Sequence, residues 1–161
     1  MNFNGSYNLD ANISKVWQNL NDPEILKNCI DGCSEFSTIE NLKYKTKINV
    51  KLGPVNASFN SIIEISNVIE LKSYEIEAKG NAGSLGYASG KAKIFLEEKE
   101  NCTILTYEAE SRINGKLAQL GSRLIEGSVK KNTEKFFKNF SINLLPVKEQ
   151  ISDEKKANNY K

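Results

Sequence analysis

Histidine is absent from the 161 residues, and that absence excludes more chemistry than any other feature of the composition. It removes the catalytic triads, the common zinc sites and the usual general base near neutral pH, so hydrolases, metalloproteases and histidine-dependent redox enzymes drop out first. Cysteine is scarce and odd in number, with three residues. With no export signal in Met1 to Asp10, that points to reduced thiols in the cytoplasm and not to a disulfide framework. No run approaches the ~18 apolar residues of a membrane span. Charge of either sign is in little excess, 22 basic against 20 acidic residues. The basic residues are spread along the chain, so there is no nucleic-acid footprint.

What is present is patterning. Phe3, Gly5, Tyr7 and Leu9 alternate with polar neighbours as a first strand. Asn12 then reads as the cap of a short helix over Ile13 to Leu20, and Asp22-Pro23 as the start of a second, through Leu26 and ending before Gly32. A strand from Ser34 to Ile39 follows. From Lys43 to Leu52 the alternation is nearly complete: Tyr44, Thr46, Ile48, Val50 and Leu52 share one face, and lysines and Asn49 the other. Gly53-Pro54 turns the chain into Val55 to Ile65, whose inward residues include Ala57, Phe59 and Ile63. Strands over Ser73 to Lys79, Leu85 to Glu98 and Thr103 to Ile113 complete a set of about seven in hairpin order, the pattern of an antiparallel sheet.

After Asn114-Gly115 the apolar period becomes helical. Leu117, Leu120, Leu124, Thr133, Phe136, Phe137 and Phe140 form one stripe, and the spacing predicts a helix from about Lys116 to Ile142, stopping before Pro146. The chain is thus expected to form one α+β ligand-binding domain over residues 1–145, with a disordered polar tail over 146–161. In the tail Lys148, Lys155, Lys156 and Lys161 are offset by Glu149, Asp153 and Glu154, which leaves little charge to hold an anionic membrane. A helix of about 25 residues spans nearly 40 Å, long enough to cross the concave side of the sheet but too thin to fill it.

The segment Gly80 to Ala92 is rich in tiny side chains. If Lys91 and Lys93 point to water, Gly86, Ala88, Gly90 and Ala92 all face inward; they either leave room for a ligand or bend the sheet around the helix, and both can hold. The expected lining of an apolar cavity is Ile48, Val50, Phe59, Ile63, Ile76, Ala88, Gly90, Ala92, Leu117, Leu120 and Leu124. Tyr44, Tyr74 and Tyr107 also face inward, where their hydroxyls either orient a ligand or reach a backbone group from within the core. Cys29 and Cys33 lie four apart, without the spacing of a redox motif or further metal ligands; small semi-buried thiols are the simpler reading. Glu64, Glu75, Glu77, Glu108 and Glu110 fall on outer faces, so no inward carboxylate pair emerges, and neither a catalytic residue nor a metal site is expected.

Several motifs occur in order: Asp22-Pro23-Glu24-Ile25-Leu26, Cys29-Ile30, Gly32-Cys33, Val50 to Val55, Gly83 and Gly86 with Ala88 and Gly90, and Gly115 to Ile125. Together the sequence resembles the family of the carbon monoxide dehydrogenase G subunit, departing from it at Asp31, where the family usually has proline. The resemblance implies a helix-grip fold of the START and Bet v 1 type, within the SRPBCC superfamily. It further implies a non-catalytic accessory protein that binds a quinone or lipid in a hydrophobic cavity. Such a protein would help bring a molybdenum-containing dehydrogenase to the cytoplasmic face of the membrane, itself a peripheral visitor there. The alternative within the same fold is a polyketide cyclase or aromatase using the same cavity.

Overall fold

A computed structural model describes residues 1–146; the expected tail lies outside them, apart from Pro146. Seven strands form one antiparallel sheet: β1 (Asn2–Leu9), β2 (Cys33–Glu40), β3 (Lys43–Leu52), β4 (Val55–Ile69), β5 (Ser73–Asn81), β6 (Tyr87–Lys99) and β7 (Cys102–Asn114). Their order across the sheet is β1-β7-β6-β5-β4-β3-β2, so the first and last strands of the sequence lie side by side at one edge. The short helices α1 (Ile13–Leu20) and α2 (Pro23–Cys29) follow β1, and the long helix α3 (Ser122–Asn143) closes the described chain. Seven strands and a C-terminal helix reproduce the arrangement read from the hydrophobic periods.

Local chemistry fixes these elements where the sequence places them. Asn12 accepts the Lys15 amide through its side chain at 2.9 Å and Asp22 the Glu24 amide at 3.0 Å, with Pro23 opening α2. These bonds satisfy donors that a helix start otherwise leaves orphaned. In the β3–β4 hairpin Leu52 pairs with Val55 across Gly53, which takes φ +60. Thr103 donates its hydroxyl to the Ala11 carbonyl at 2.9 Å, pinning the approach to α1 against β7.

The structure differs from the periodic reading at two places. The expected helix from Lys116 to Ile142 is broken: Gly115–Leu120 is a 3-10 turn, Gly121 stands at φ +89, and α3 begins at Ser122. A left-handed residue cannot continue an α-helix, so the leucine stripe crosses a hinge that periodicity alone does not register. Leu85 and Gly86 do not belong to β6 either. Gly83–Leu85 is a 3-10 turn, and Gly86 has φ +121 with the Asn114 carbonyl oxygen 2.1 Å from where a Cβ would stand. Gly86 is therefore absent from the inward face because the chain needs it for a close backbone approach to Asn114 and Gly115.

Packing divides the interior in two. One cluster gathers Leu9, Val16, Leu20, Cys29, Tyr74, Ile94, Leu96, Leu105, Phe137 and Phe140 beneath α1, α2 and the C-terminal half of α3. The other joins Leu52, Ala57, Ala82 and Leu117 at the opposite end, with Val50, Phe59, Ile113, Leu120 and Leu124 against it. A helix gripped by a sheet would ordinarily produce one contiguous core; here two separate clusters form.

Candidate functional site: a cleft between the first strand and the last helix

Burial along the inner face changes abruptly between the clusters. On β6 and β7 the inward residues Ile94, Leu96, Thr103 and Leu105 are buried, whereas Ala88, Gly90, Ala92, Tyr107, Ala109, Ser111 and Ile113 are only half-buried, although they face the same way under the same helix. Solvent therefore reaches the inner face over this stretch. Two causes combine. The side chains there are small, and α3 runs close to α2, β3 and the preceding 3-10 turn while its backbone approaches the central strands only sparsely.

Two inward glycines on adjacent strands mark the edge of the open space. A Cβ placed on Gly80 would stand 2.7 Å from Ser61 Oγ and 3.1 Å from Phe59 Cδ1, so that position is already covered. A Cβ on Gly90 would meet a single atom, the Glu110 carbonyl oxygen at 3.4 Å, and otherwise open space. The curvature and the vacancy that small residues can supply are thus separable here: Gly80 lets neighbours close in, while Gly90 leaves room.

At the edge of the sheet a hollow of about 570 Å³ lies between β1, β7 and α3, reaching the inner face at Tyr107. Phe3, Gly5, Tyr7, Tyr107, Val129 and Thr133 supply its inner walls, and Asn4, Ser6, Glu126, Lys130 and Glu134 stand among its polar lining. Gly5 is glycine because Tyr107 lies across it, with Cε1 2.7 Å and the hydroxyl 2.8 Å from a Cβ that is not there. The Tyr7 ring stacks on Phe137 at 3.9 Å between centroids and lies 6.4 Å from Tyr107. Thr133 turns its hydroxyl back to the Val129 carbonyl at 2.8 Å, which presents its methyl group as an apolar surface.

Burial raises the pKa of Tyr7, helped by Tyr107 and the Glu134 carboxylate, and burial with Glu134 raises that of Tyr107. Both remain neutral phenols at physiological pH, able to donate a hydrogen bond and poor at removing a proton. A second hollow, of about 610 Å³, lies where Glu75, Glu77, Lys91, Lys93, Glu108 and Glu110 project from the outer face, with Phe3, Ile76, Ala92 and Ala109 also in its lining, and Lys93 meets Glu75 at 3.9 Å. Its charged walls make it a surface depression and not an apolar chamber.

The residues expected to line a cavity fall in three places. Ile76, Ala88, Gly90, Ala92 and Tyr107 lie in the half-buried band, and Ile48 and Ile63 are half-buried on the inner face of β3 and β4. Val50, Phe59, Leu117, Leu120 and Leu124 pack in the second apolar cluster and do not line the hollow between β1, β7 and α3. Tyr74 is buried, edge-on to Trp17 at 5.7 Å, and Tyr44 tilts against Phe36 at 5.2 Å. Periodicity places Phe3 and Tyr7 on the inward face but gives no reason to join them to Val129 and Thr133. The signal for the mouth was Gly5 opposite Tyr107, visible only once β1 and β7 are paired.

The cysteines are held structurally. Cys29 is fully buried, its thiol pushed up to about 11 by burial against the weaker lowering effect of the Asn143 amide, which donates to Sγ at 3.5 Å. Asn139 donates to the Cys29 carbonyl at 3.1 Å, tying α2 to α3. Cys33 Sγ donates to the Glu35 carbonyl at 3.3 Å. Among the described residues no three Cys, Asp or Glu side chains gather as metal ligands, and no helix is long and apolar enough to cross a membrane.

Solved structures share this architecture. A conserved protein from Geobacillus kaustophilus is 31% identical, matching 89% of this chain and 95% of its own with a TM-score of 0.84. A START superfamily protein from Mycobacterium smegmatis, 9% identical, covers 89% of this chain and 96% of its own at 0.67. The Zhui aromatase/cyclase from Streptomyces sp. R1128, 13% identical, covers 89% and 93% at 0.62. At those lower identities the likeness is one of fold. Comparison with curated proteins gives no match. The family model for CoxG, the G subunit of carbon monoxide dehydrogenase, matches residues 5–145, from the glycine beneath Tyr107 to just past the end of α3, and the chain belongs to that family.

Proposed function

We propose that the protein is a non-catalytic accessory protein that holds an apolar small molecule, a quinone or a lipid tail, in the cleft beneath α3. The observation that carries this is the half-buried inner face from Tyr107 to Ile113, reached by solvent between two closed apolar clusters. An apolar guest gains most where it displaces water from such walls, at roughly 25 cal/mol per Å² of buried apolar surface. Family membership supports a partner of the molybdenum-containing dehydrogenase class, and carriage of a guest between that enzyme and the membrane would give the cleft its purpose.

The aromatase/cyclase alternative would use Tyr7 and Tyr107 beside Glu134. Their raised pKa values suit them to orienting a carbonyl more than to proton abstraction, which favours binding over catalysis. The test is titration with a decyl-substituted benzoquinone, together with native mass spectrometry of protein purified from its own host. A bound apolar guest and saturable quinone binding, lost in Gly90→Trp, are expected. An empty protein that binds no quinone would overturn the proposal.

A further inference from the structure

The lining of the mouth carries a bias of charge that an apolar pocket does not require. Glu126, Lys130 and Glu134 follow one another at intervals of four along α3, so all three project from one helical face toward the hollow that they line. Opposite them β1 offers the uncharged Asn2, Asn4 and Ser6. Just behind, Glu110 and Glu108 on β7 are in register with Asn2 and Asn4. None of Glu108, Glu110, Glu126, Lys130 or Glu134 forms an ion pair among the described residues. The Met1 amino group, at the start of β1, is engaged by the Ser111 carbonyl at 2.9 Å. Lys130 therefore faces two carboxylates at the opening and two more at its outer edge.

We propose that Glu126 and Glu134, on the rim of the hollow that Tyr7 and Tyr107 also line, make the cleft select amphiphiles with an uncharged, hydrogen-bond-accepting head and reject those with an anionic head. The inference rests on the ligand-binding reading above and adds to it the class of head group. An apolar tail lies against Phe3, Gly5, Val129 and Thr133, which leaves its head at the rim among two phenol donors, Glu126, Lys130 and Glu134. A carbonyl or ether oxygen accepts from the phenols there. A carboxylate or phosphate head must sit at an exposed rim where the carboxylates outnumber the single lysine, and like charges within a Debye length repel it by a modest amount each. Discrimination of this kind is built from the repelling group as much as from the attracting one.

The test compares decyl-benzoquinone, dodecanoate and dodecyl phosphate, with affinities measured by calorimetry at about pH 8, below micelle-forming concentrations. The wild type is expected to bind the quinone at least ~10-fold more tightly than either anion, since each rim charge contributes about two- to fivefold. The ratio is expected to shrink by at least ~threefold in the Glu126→Gln/Glu134→Gln double variant and further in Glu134→Lys. Both glutamates are exposed, so the variants should retain the melting temperature of the wild type. Dodecanoate binding as tightly as the quinone, or a ratio unchanged by these substitutions, would overturn the selection while leaving the cleft a binding site. Failure of every probe to bind would overturn the binding reading itself, and this inference with it.

Discussion

Gly80→Ala and Gly90→Ala should change stability in opposite directions, and the difference measures the open space directly. Both glycines sit on ordinary strand backbone, on paired strands, facing the same side. The backbone contribution of the substitution is therefore similar at both, a gain of about 0.4–1 kcal/mol from restricting the unfolded chain. At Gly80 the new methyl meets Ser61 Oγ, which can rotate aside, and the Phe59 ring at 3.1 Å, which must give by several tenths of an ångström. Overpacking of this kind costs roughly 1–3 kcal/mol, so the net effect is a loss of about 1 kcal/mol. At Gly90 the methyl meets one carbonyl oxygen at 3.4 Å, an ordinary contact, and the net effect is a gain of about 0.5 kcal/mol. The separation of about 1.5 kcal/mol corresponds to roughly 3–6 °C in Tm for a domain of this size, within reach of calorimetry and of urea denaturation. A Gly90→Ala variant destabilised by more than about 1 kcal/mol would mean that something already covers that position, and the argument for a vacancy would fail.

Other perturbations probe other parts of the structure. Ala92→Trp should abolish quinone binding in a titration while changing unfolding free energy by no more than about 1–3 kcal/mol; outright unfolding would place tight packing where the cleft is drawn. Gly86→Ala should cost at least ~2 kcal/mol in urea unfolding, because the added methyl would fall on the Asn114 carbonyl oxygen at 2.1 Å and φ +121 already disfavours a side chain; a variant as stable as the wild type would refute the close loop contact. Burial raises the Cys29 thiol from 9.0 to about 11, so the unfolded chain loses its proton first as pH rises. Stability should therefore begin to fall above about pH 9 and level off beyond about pH 11, by up to ~3 kcal/mol. Because Tyr7, Tyr74 and Tyr107 are also raised, this contribution is read as the difference between wild type and Cys29→Ala across that window; identical pH profiles would show that the thiol is not desolvated.

The sheet was legible in the sequence because period-two alternation fixes which face a residue occupies: Lys43 to Leu52 pairs with Val55 to Glu64 in an unbroken register. Alternation does not say how far along the strand the core extends. Tyr74 and Ala78 therefore read alike, although Tyr74 is buried beneath Trp17 and Ala78 lies in the half-buried band. Breaks that depend on positive φ escaped as well. Gly121 and Gly86 look like members of the helix and strand they interrupt, because a backbone approach such as Gly115 Cα to the Cβ position of Gly86 at 3.1 Å exists only after distant segments meet. The mouth was the least legible part. It joins Phe3 and Tyr7 from the first strand to Val129 and Thr133 from the last helix, and no local period links segments so far apart in sequence.

Paramagnetic relaxation in the protein's amide NMR spectrum, with a spin-labelled dodecyl chain as probe, tests the central claim most directly. A guest in the cleft should broaden Gly5, Tyr7, Tyr107, Val129 and Thr133 most, leaving Val16, Leu20 and Leu96 in the closed core sharp. Broadening confined to Glu75, Glu77, Lys91 and Glu110 around the outer hollow, or to no residue at all, would contradict it.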